Sequence, residues 1–208
     1  MGALQTLGFI LGAAFASGLN LYATVAVLGL LHRFEIIHLP ASLQVLADPW
    51  VLGIAIALYA IEFVADKVPY VDSIWDVVHT FIRPPAAGLL AYTALGDVPE
   101  VWKVSAALLA GTVALASHGT KASTRAAANV SPEPVSNWIA SVLEDVIVIL
   151  GMLAALYHPW LFLVLLIAFI LLLIWILPKI WRGIKKVFGM ISSFFSGKKA
   201  GVPADPGQ

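Results

Sequence analysis

Apolar residues run through this chain in long blocks, without the short alternation of a half-buried strand, and the block lengths dictate the architecture. A hydrocarbon core of about 30 Å is crossed by a helix of about 20 residues. Residues 3–32 form the first run, long enough to cross with a tilt or a break, and 49–65 form the second, opened by Asp48-Pro49, where proline suits a first helical turn. Residues 84–96 make a short third run, and 101–117, 135–157 and 160–177 complete a set of six. The pattern predicts an all-α, polytopic membrane protein with about six transmembrane helices and a transmembrane domain over residues 1–178. Ala14-Phe15-Ala16 has the form of a leader-cleavage site, but no Lys or Arg precedes it and the apolar run continues to Leu31, so the first run is read as a span.

Composition supports the pattern. Hydrophobic residues make up 61% of the chain and charged ones only 12%, against about 25% in soluble domains. From Pro178 onward the apolar positions narrow to a stripe of Ile180, Trp181, Ile184, Val187, Phe188, Ile191, Phe194 and Phe195, with Lys179, Arg182, Lys185 and Lys186 elsewhere on the helix. Residues 179–196 are therefore expected to lie in the membrane interface, their cations near anionic lipid headgroups, and residues 197–208 to be disordered. The formal net charge is zero, yet six of the twelve Lys and Arg residues fall after Pro178. With six spans and a cytoplasmic C-terminus, the cytoplasmic side collects ten of the twelve, leaving Arg33 and Lys103 outside, so both termini are expected inside the cell.

Charged residues interrupt the apolar background at two places. A charge at the bilayer centre costs at least ~2.5 kcal/mol, so its retention marks candidate function. On a helix, Asp72, Asp76, His79 and Arg83 stand at spacings of four, three and four and share one face, with Ile74, Val77, Val78 and Phe81 on much of the rest. Bounded by Pro69 and Pro84-Pro85, this segment reads as an amphipathic helix, either solvated in the cytoplasm or lining a polar vestibule. In the second segment Lys121, Arg125 and Asn129 recur at spacing four after Ser117-His118-Gly119-Thr120, where Gly119 can break a helix and hydroxyls can satisfy the freed backbone. The fifth span presents Asn137, Ser141, Glu144 and Asp145 on one side. Glu144 and Asp145, near mid-span, need water or a cation such as Lys121 or Arg125 to stay ionised, or else are neutral acids. An ion-paired structural lock between helices would use the same residues.

Ala16-Ser17-Gly18-Leu19-Asn20 can be laid over Ala116-Ser117-His118-Gly119-Thr120 at an offset of one hundred residues, and each is followed by acids on a span, Glu62 and Asp66 or Glu144 and Asp145. Three spans separate the copies, so they would run in opposite directions. That is an inverted three-plus-three repeat, with halves 1–98 and 99–178 and helices broken, or re-entrant, at Ser17–Asn20 and Ser117–Thr120. Freed amides and carbonyls would then face Glu62, Asp66, Lys121, Arg125, Glu144 and Asp145. Amides and cations suit an anionic group; paired carboxylates suit a cation or a proton.

No cysteine is present, so disulfides and thiolate chemistry are excluded. Glycine-flanked catalytic serines, histidine pairs at ligand spacing and phosphate-cradling loops are also missing, so no cofactor and no nucleic-acid partner is expected. A metal site improvised from His79, Asp72 and Asp76, or from His118, Glu144 and Asp145, keeps an intramembrane enzyme as the least favoured reading. Gly8, Gly12 and Ala16 form a small-residue seam for close helix packing, within the chain or in a homo-oligomer.

Gly18-Leu-Asn-Leu-Tyr-Ala-Thr24, Glu62-Phe-Val-Ala-Asp-Lys-Val-Pro-Tyr-Val-Asp-Ser-Ile-Trp-Asp76, His79-Thr-Phe-Ile-Arg-Pro-Pro85, Ala116-Ser-His-Gly-Thr-Lys121 and Ser131-Pro-Glu-Pro134 resemble the bacterial membrane family catalogued as domain of unknown function 4126, from about Gly8 to Pro178. The resemblance implies a bacterial cytoplasmic membrane and a family pattern in the polar motifs; it implies no reaction, substrate or cofactor. The expected function is a transporter or channel for a small charged solute, proton- or cation-coupled. Glu62, Asp66, Glu144 and Asp145 would bind or relay cations or protons, and Lys121 and Arg125 would hold an anionic group or balance the acids. Asn20, Ser117, His118 and Asn137 complete the site, and Asp72, Asp76, His79 and Arg83 would line its cytoplasmic entrance. A flippase for a phosphate-bearing lipid and a non-transporting scaffold are the alternatives.

Overall fold

A computed structural model of the chain describes residues 2–68, 70–129 and 134–195. Among them the regular structure is helical: α1 (Ala3–Leu19), α2 (Leu21–Arg33), a 3-10 helix (Ala41–Ala47), α3 (Pro49–Ala65), α4 (Val71–His79), α5 (Arg83–Ala94), α6 (Glu100–Ala128), α7 (Pro134–Tyr157) and α8 (Pro159–Phe195). Each of the six apolar runs is helical. Three helical stretches are long and apolar enough to cross a membrane, Glu100–Ala127, Asn137–Tyr157 and Pro159–Lys179. The 3-10 helix and α3 together form a fourth candidate, bent by 63°, whereas α1 and α2 are shorter apolar helices. Asp48 accepts from the Trp50 amide at 2.8 Å and Pro49 opens α3, as the sequence predicts.

The first apolar run divides at Asn20, whose backbone is extended (φ −151°, ψ 100°). The second expected break does not occur. Helix α6 passes without interruption through Ser117–Thr120, because Ser117 Oγ donates to the Ala114 carbonyl (3.1 Å) and Thr120 Oγ1 to the Ala116 carbonyl (2.9 Å) within the same helix, and Gly119 packs against nothing that requires a bend. Helix α8 likewise continues through Pro178. The side chains of the expected interfacial stripe from Ile180 on, and residues 197–208, lie outside the described residues.

The chain divides into two compact units, one ending at Leu165 and the other beginning at Leu166. In the first, α1 is central and packs on α5, α6 and α7. Gly8 and Gly12 bring α1 against Pro159 and Ala155, so the small-residue seam is used inside the chain. Gly18 brings α1 onto α6, where an added Cβ would overlap Ser117 Oγ and the Ala114 carbonyl. The two segments of the internal echo therefore meet: Ser117 Oγ also donates to the Phe15 carbonyl at 2.9 Å.

Charged side chains are buried alongside an apolar core that includes Phe9, Leu28 and Met152, and large apolar side chains face outward. The fully enclosed residues include Glu62, Asp72, Arg83 and Arg125, while Trp50, Phe81, Leu108, Ile74, Leu143 and Ile174 are exposed. An apolar exterior around buried, partnered charges is stable where the surroundings are hydrocarbon. Trp50, Trp102, Tyr157 and Trp160, close to the ends of the apolar runs where interfacial aromatics belong, are all exposed.

Candidate functional site

The site begins at the break in the first apolar run. A helix that stops at Leu19 leaves its last carbonyls without amide partners and a partial negative charge at its end. Two cations from other helices meet them. Arg83 Nη1 donates to the Gly18 carbonyl (3.0 Å) and Lys121 Nζ to the Leu19 carbonyl (3.1 Å). On the other side of the break, Asn20 caps α2 by accepting from the Ala23 amide at 2.9 Å and donates its side-chain amide to Asp145 (3.3 Å), which also accepts from the Tyr59 hydroxyl (3.0 Å). An extended residue thus turns backbone polarity toward buried side chains.

Each of the three buried cations then takes a carboxylate. Arg83 Nη2 lies 2.7 Å from Glu62 Oε1, and Lys121 Nζ lies 2.8 Å from Asp66 Oδ2 and 3.2 Å from Glu62 Oε1. Arg125 grips Glu144 with two bonds, Nη2 to Oε2 at 2.7 Å and Nε to Oε1 at 3.0 Å, the planar fork matching the carboxylate. Its Nη1 also donates to the Asp66 and Asn137 carbonyls (2.6 and 3.0 Å). Lys121 Nζ reaches Glu144 Oε2 at 3.5 Å, so the pairs are linked into one network across α3, α5, α6 and α7. The spacing of Lys121, Arg125 and Asn129 on α6 places all three on this interior face; Asn129 donates to both oxygens of Asp72 (2.8 and 3.1 Å) and accepts from Asn137 (3.0 Å).

Helix α4 supplies the remaining side. Asp72, Asp76 and His79 are buried, while Ile74, Val77 and Val78 on its other face are exposed. The shared polar face predicted from spacing is present, but it is packed against the protein and closed, not open as a vestibule. The ionisable face finds its partners within the protein, and the apolar face is the one left exposed. His118 joins α4 to α5 and α6. Arginine can only donate, so its 2.9 Å contact with His118 Nδ1 makes that nitrogen the acceptor, and the Nε2–H is directed at the Asp76 carbonyl (3.0 Å) and Thr80 Oγ1 (2.9 Å). His79 donates from Nδ1 to the Trp75 carbonyl (2.8 Å), and its Nε2 lies 3.1 Å from the Tyr22 hydroxyl.

These contacts occupy both histidines. Among the described residues no three His, Asp or Glu side chains converge to hold a metal ion, so neither improvised metal set is assembled. Four carboxylate oxygens in the interior have no hydrogen-bond partner: Glu62 Oε2, Asp66 Oδ1 and both oxygens of Asp76. Ser17 Oγ and Arg83 Nε are buried without one as well.

The polar motifs that build this interior lie between Gly18 and Asp145, inside residues 7–179, over which the chain matches the family model described as Domain of unknown function (DUF4126). The chain belongs to the DUF4126 family. No curated protein and no solved structure matches it. Within this DUF4126 chain the network joins Glu62, Asp66, Arg83, Lys121, Arg125 and Glu144, whereas Ser117 bonds only the backbone carbonyls of Phe15 and Ala114, and side chains alone did not disclose all of it. The Gly18 and Leu19 carbonyls carry no side-chain signal. Tyr59 is hidden in the apolar run of α3, three residues before Glu62 and so on the same face, which is the one hint available. Lys67, expected in a cytoplasmic loop, donates to Ser141 Oγ at 3.1 Å and lies over the Phe63 ring.

Two apolar cavities flank the network. One of about 470 Å³ is lined by Tyr22, Val25, Leu46, Ile54, Leu58 and Leu90 among others, and another of about 720 Å³ lies between α5 and α6 beside Leu89, Leu108 and Leu115.

Proposed function

We propose that this protein is an integral membrane transporter for a small charged solute, coupled to protons or another cation, and that the network around the α1–α2 break is its solute and ion site in a closed arrangement. The observation that carries this reading is the set of carboxylate oxygens without a hydrogen-bond partner on Glu62, Asp66 and Asp76, inside a network whose three cations are all ion-paired. A static lock between helices gains stability only when each lone pair is satisfied, and a half-satisfied buried network is costly. Oxygens kept unpartnered beside cations and freed helix-end carbonyls are those of a site that exchanges its contents. Glu62, Asp66, Glu144 and Asp145 act on cations or protons, and Lys121 and Arg125 balance them or take an anionic group. Asp72, Asp76, His79 and Arg83 gate the cytoplasmic side.

The basic residues support an orientation with both termini inside and the C-terminal segment on anionic headgroups, and the family resemblance implies that the membrane is a bacterial cytoplasmic one. The 470 Å³ cavity supports a second reading, a flippase for a phosphate-bearing lipid, because its wall is nearly all apolar and Tyr22 connects it to His79.

The test is current from proteoliposomes on a solid support, challenged with steps of proton, sodium, potassium, chloride and phosphate concentration, with dithionite bleaching of a fluorescent phosphatidylglycerol as the lipid arm. A transient for one of these, lost in an Arg125→Gln/Glu144→Gln protein that stays folded, is expected. Undiminished transport by that folded variant removes the network from the mechanism.

A further inference from the structure

The three buried cations are matched one for one: Arg83 with Glu62, Lys121 with Asp66, Arg125 with Glu144. Three acids remain in the same interior. Asp72 is held by the Asn129 amide on both oxygens and by the Ser73 amide at 2.6 Å. Asp145 is held by Tyr59 and Asn20 and is half-buried. Asp76 is held by no hydrogen bond. It is 2% exposed, neither carboxylate oxygen has a hydrogen-bond partner, and Arg83 Nη1, 3.7 Å from its Oδ1, already serves Gly18 and His118.

We infer that Asp76 binds a proton in this closed arrangement and is the coupling-proton site of the network. The titratable and charged groups around it are Glu62 and Asp66 from α3 and its end, Arg83 from α5, His118 and Lys121 from α6, Glu144 from α7, and Asp72 and His79 on its own helix. The closest pairs cancel among themselves, so a charge on Asp76 would have only the shared Arg83 at 3.7 Å and no hydrogen bond to hold it, and neutralisation is the less costly state. The binding step is one O–H bond formed with a proton delivered by water, with no electron transferred. His118 is not the carrier, because Arg83 occupies its Nδ1 and its Nε2–H faces the Asp76 carbonyl. A metal cation in place of the proton lacks a third acid or histidine at the right position among the described residues. The coupling role rests on the transport reading above; the bound proton does not.

Infrared spectroscopy of the purified full-length protein in lipid reads the proton directly, because a protonated carboxylic acid has a carbonyl stretch that carboxylates lack. At pH 7 the wild type is expected to show this band and a folded Asp76→Asn protein to lack it. The unfolding equilibrium gives a second readout. A proton bound in the native state and released on unfolding makes stability fall as pH rises, by up to about tenfold in the unfolding constant per pH unit, and Asp76→Asn abolishes that dependence. Should Asp76→Asn fail to fold, Asp76→Glu keeps the acid and shifts the band. A wild type with no acid band, or a band unchanged in either variant, overturns the proposal. A band at Asp76 in a protein that moves no solute or lipid in the liposome assay would retain the proton and reject its coupling role.

Discussion

Splitting the Arg125–Glu144 pair is the perturbation whose magnitude follows most directly from the structure. Arg125 is fully buried and makes four hydrogen bonds, two to Glu144 and one each to the carbonyls of Asp66 and Asn137. At 2.7 Å and an effective dielectric constant of about 20, the gross attraction is roughly 6 kcal/mol, most of it offset by removing both ions from water. Arg125→Gln leaves Glu144 with only Lys121 at 3.5 Å and removes the Arg125 donor from the Asp66 and Asn137 carbonyls, so a loss of about 3–5 kcal/mol is expected. Glu144→Gln leaves Arg125 its carbonyl partners and the more distant Asp66 carboxylate at 3.6 Å, and is expected to lose less. In the double variant two neutral amides replace two ions, and the loss should fall short of the sum by about 2–3 kcal/mol. Equilibrium unfolding in mixed micelles, followed by circular dichroism, supplies the cycle. A coupling near 0.6 kcal/mol, the average for hydrogen bonds within membranes, would refute the reasoning, because it would mean that the pair is no stronger than an ordinary polar contact.

Two other variants probe the break itself. Gly18→Ala should lower stability by about 1–3 kcal/mol in thermal unfolding, since its Cβ meets Ser117 Oγ and the backbone carbonyl of Ala114, and adding Ser117→Gly should not restore it because the carbonyl remains. A native unfolding temperature in Gly18→Ala would show that α1 and α6 are not that close. Asn20→Ala removes the cap on Ala23 and a donor to Asp145 and should cost about 1–2 kcal/mol by the same assay; no change would mean that the extended residue does not organise the break.

What the sequence could disclose has a physical limit. Block length and the Asp48-Pro49 start are local properties, so the helices are legible, and Ser17-Gly18-Leu19-Asn20 marks a true break because Asn20 can cap a new helix with its own side chain. In the matching Ser117-His118-Gly119-Thr120 the hydroxyls, which could also cap a helix, bond back within α6 instead. The spacing of Asp72, Asp76, His79 and Arg83 assigns them to one face but is silent on which face meets the surroundings; a cytoplasmic helix and a lipid-immersed one have the same period. Either Lys121 or Arg125 was a suitable partner for Glu144, and only the rotation of α6 against α7 makes Arg125 the one that grips it. The backbone acceptors at Gly18 and Leu19 have no counterpart in any pattern of side chains.

Collision of spin labels with oxygen and with a water-soluble nickel chelate discriminates most sharply between a lipid-facing α4 and a solvated one. The chain has no cysteine, so single cysteines at Ile74, Val78 and Phe81, 68%, 51% and 78% exposed, can be labelled in protein held in lipid nanodiscs. High oxygen and low nickel accessibility at all three is expected if the ionisable face is turned inward at membrane depth. Free access of the nickel chelate would place α4 in water, with its charges explained by solvation, and would remove the basis for a buried ionic site.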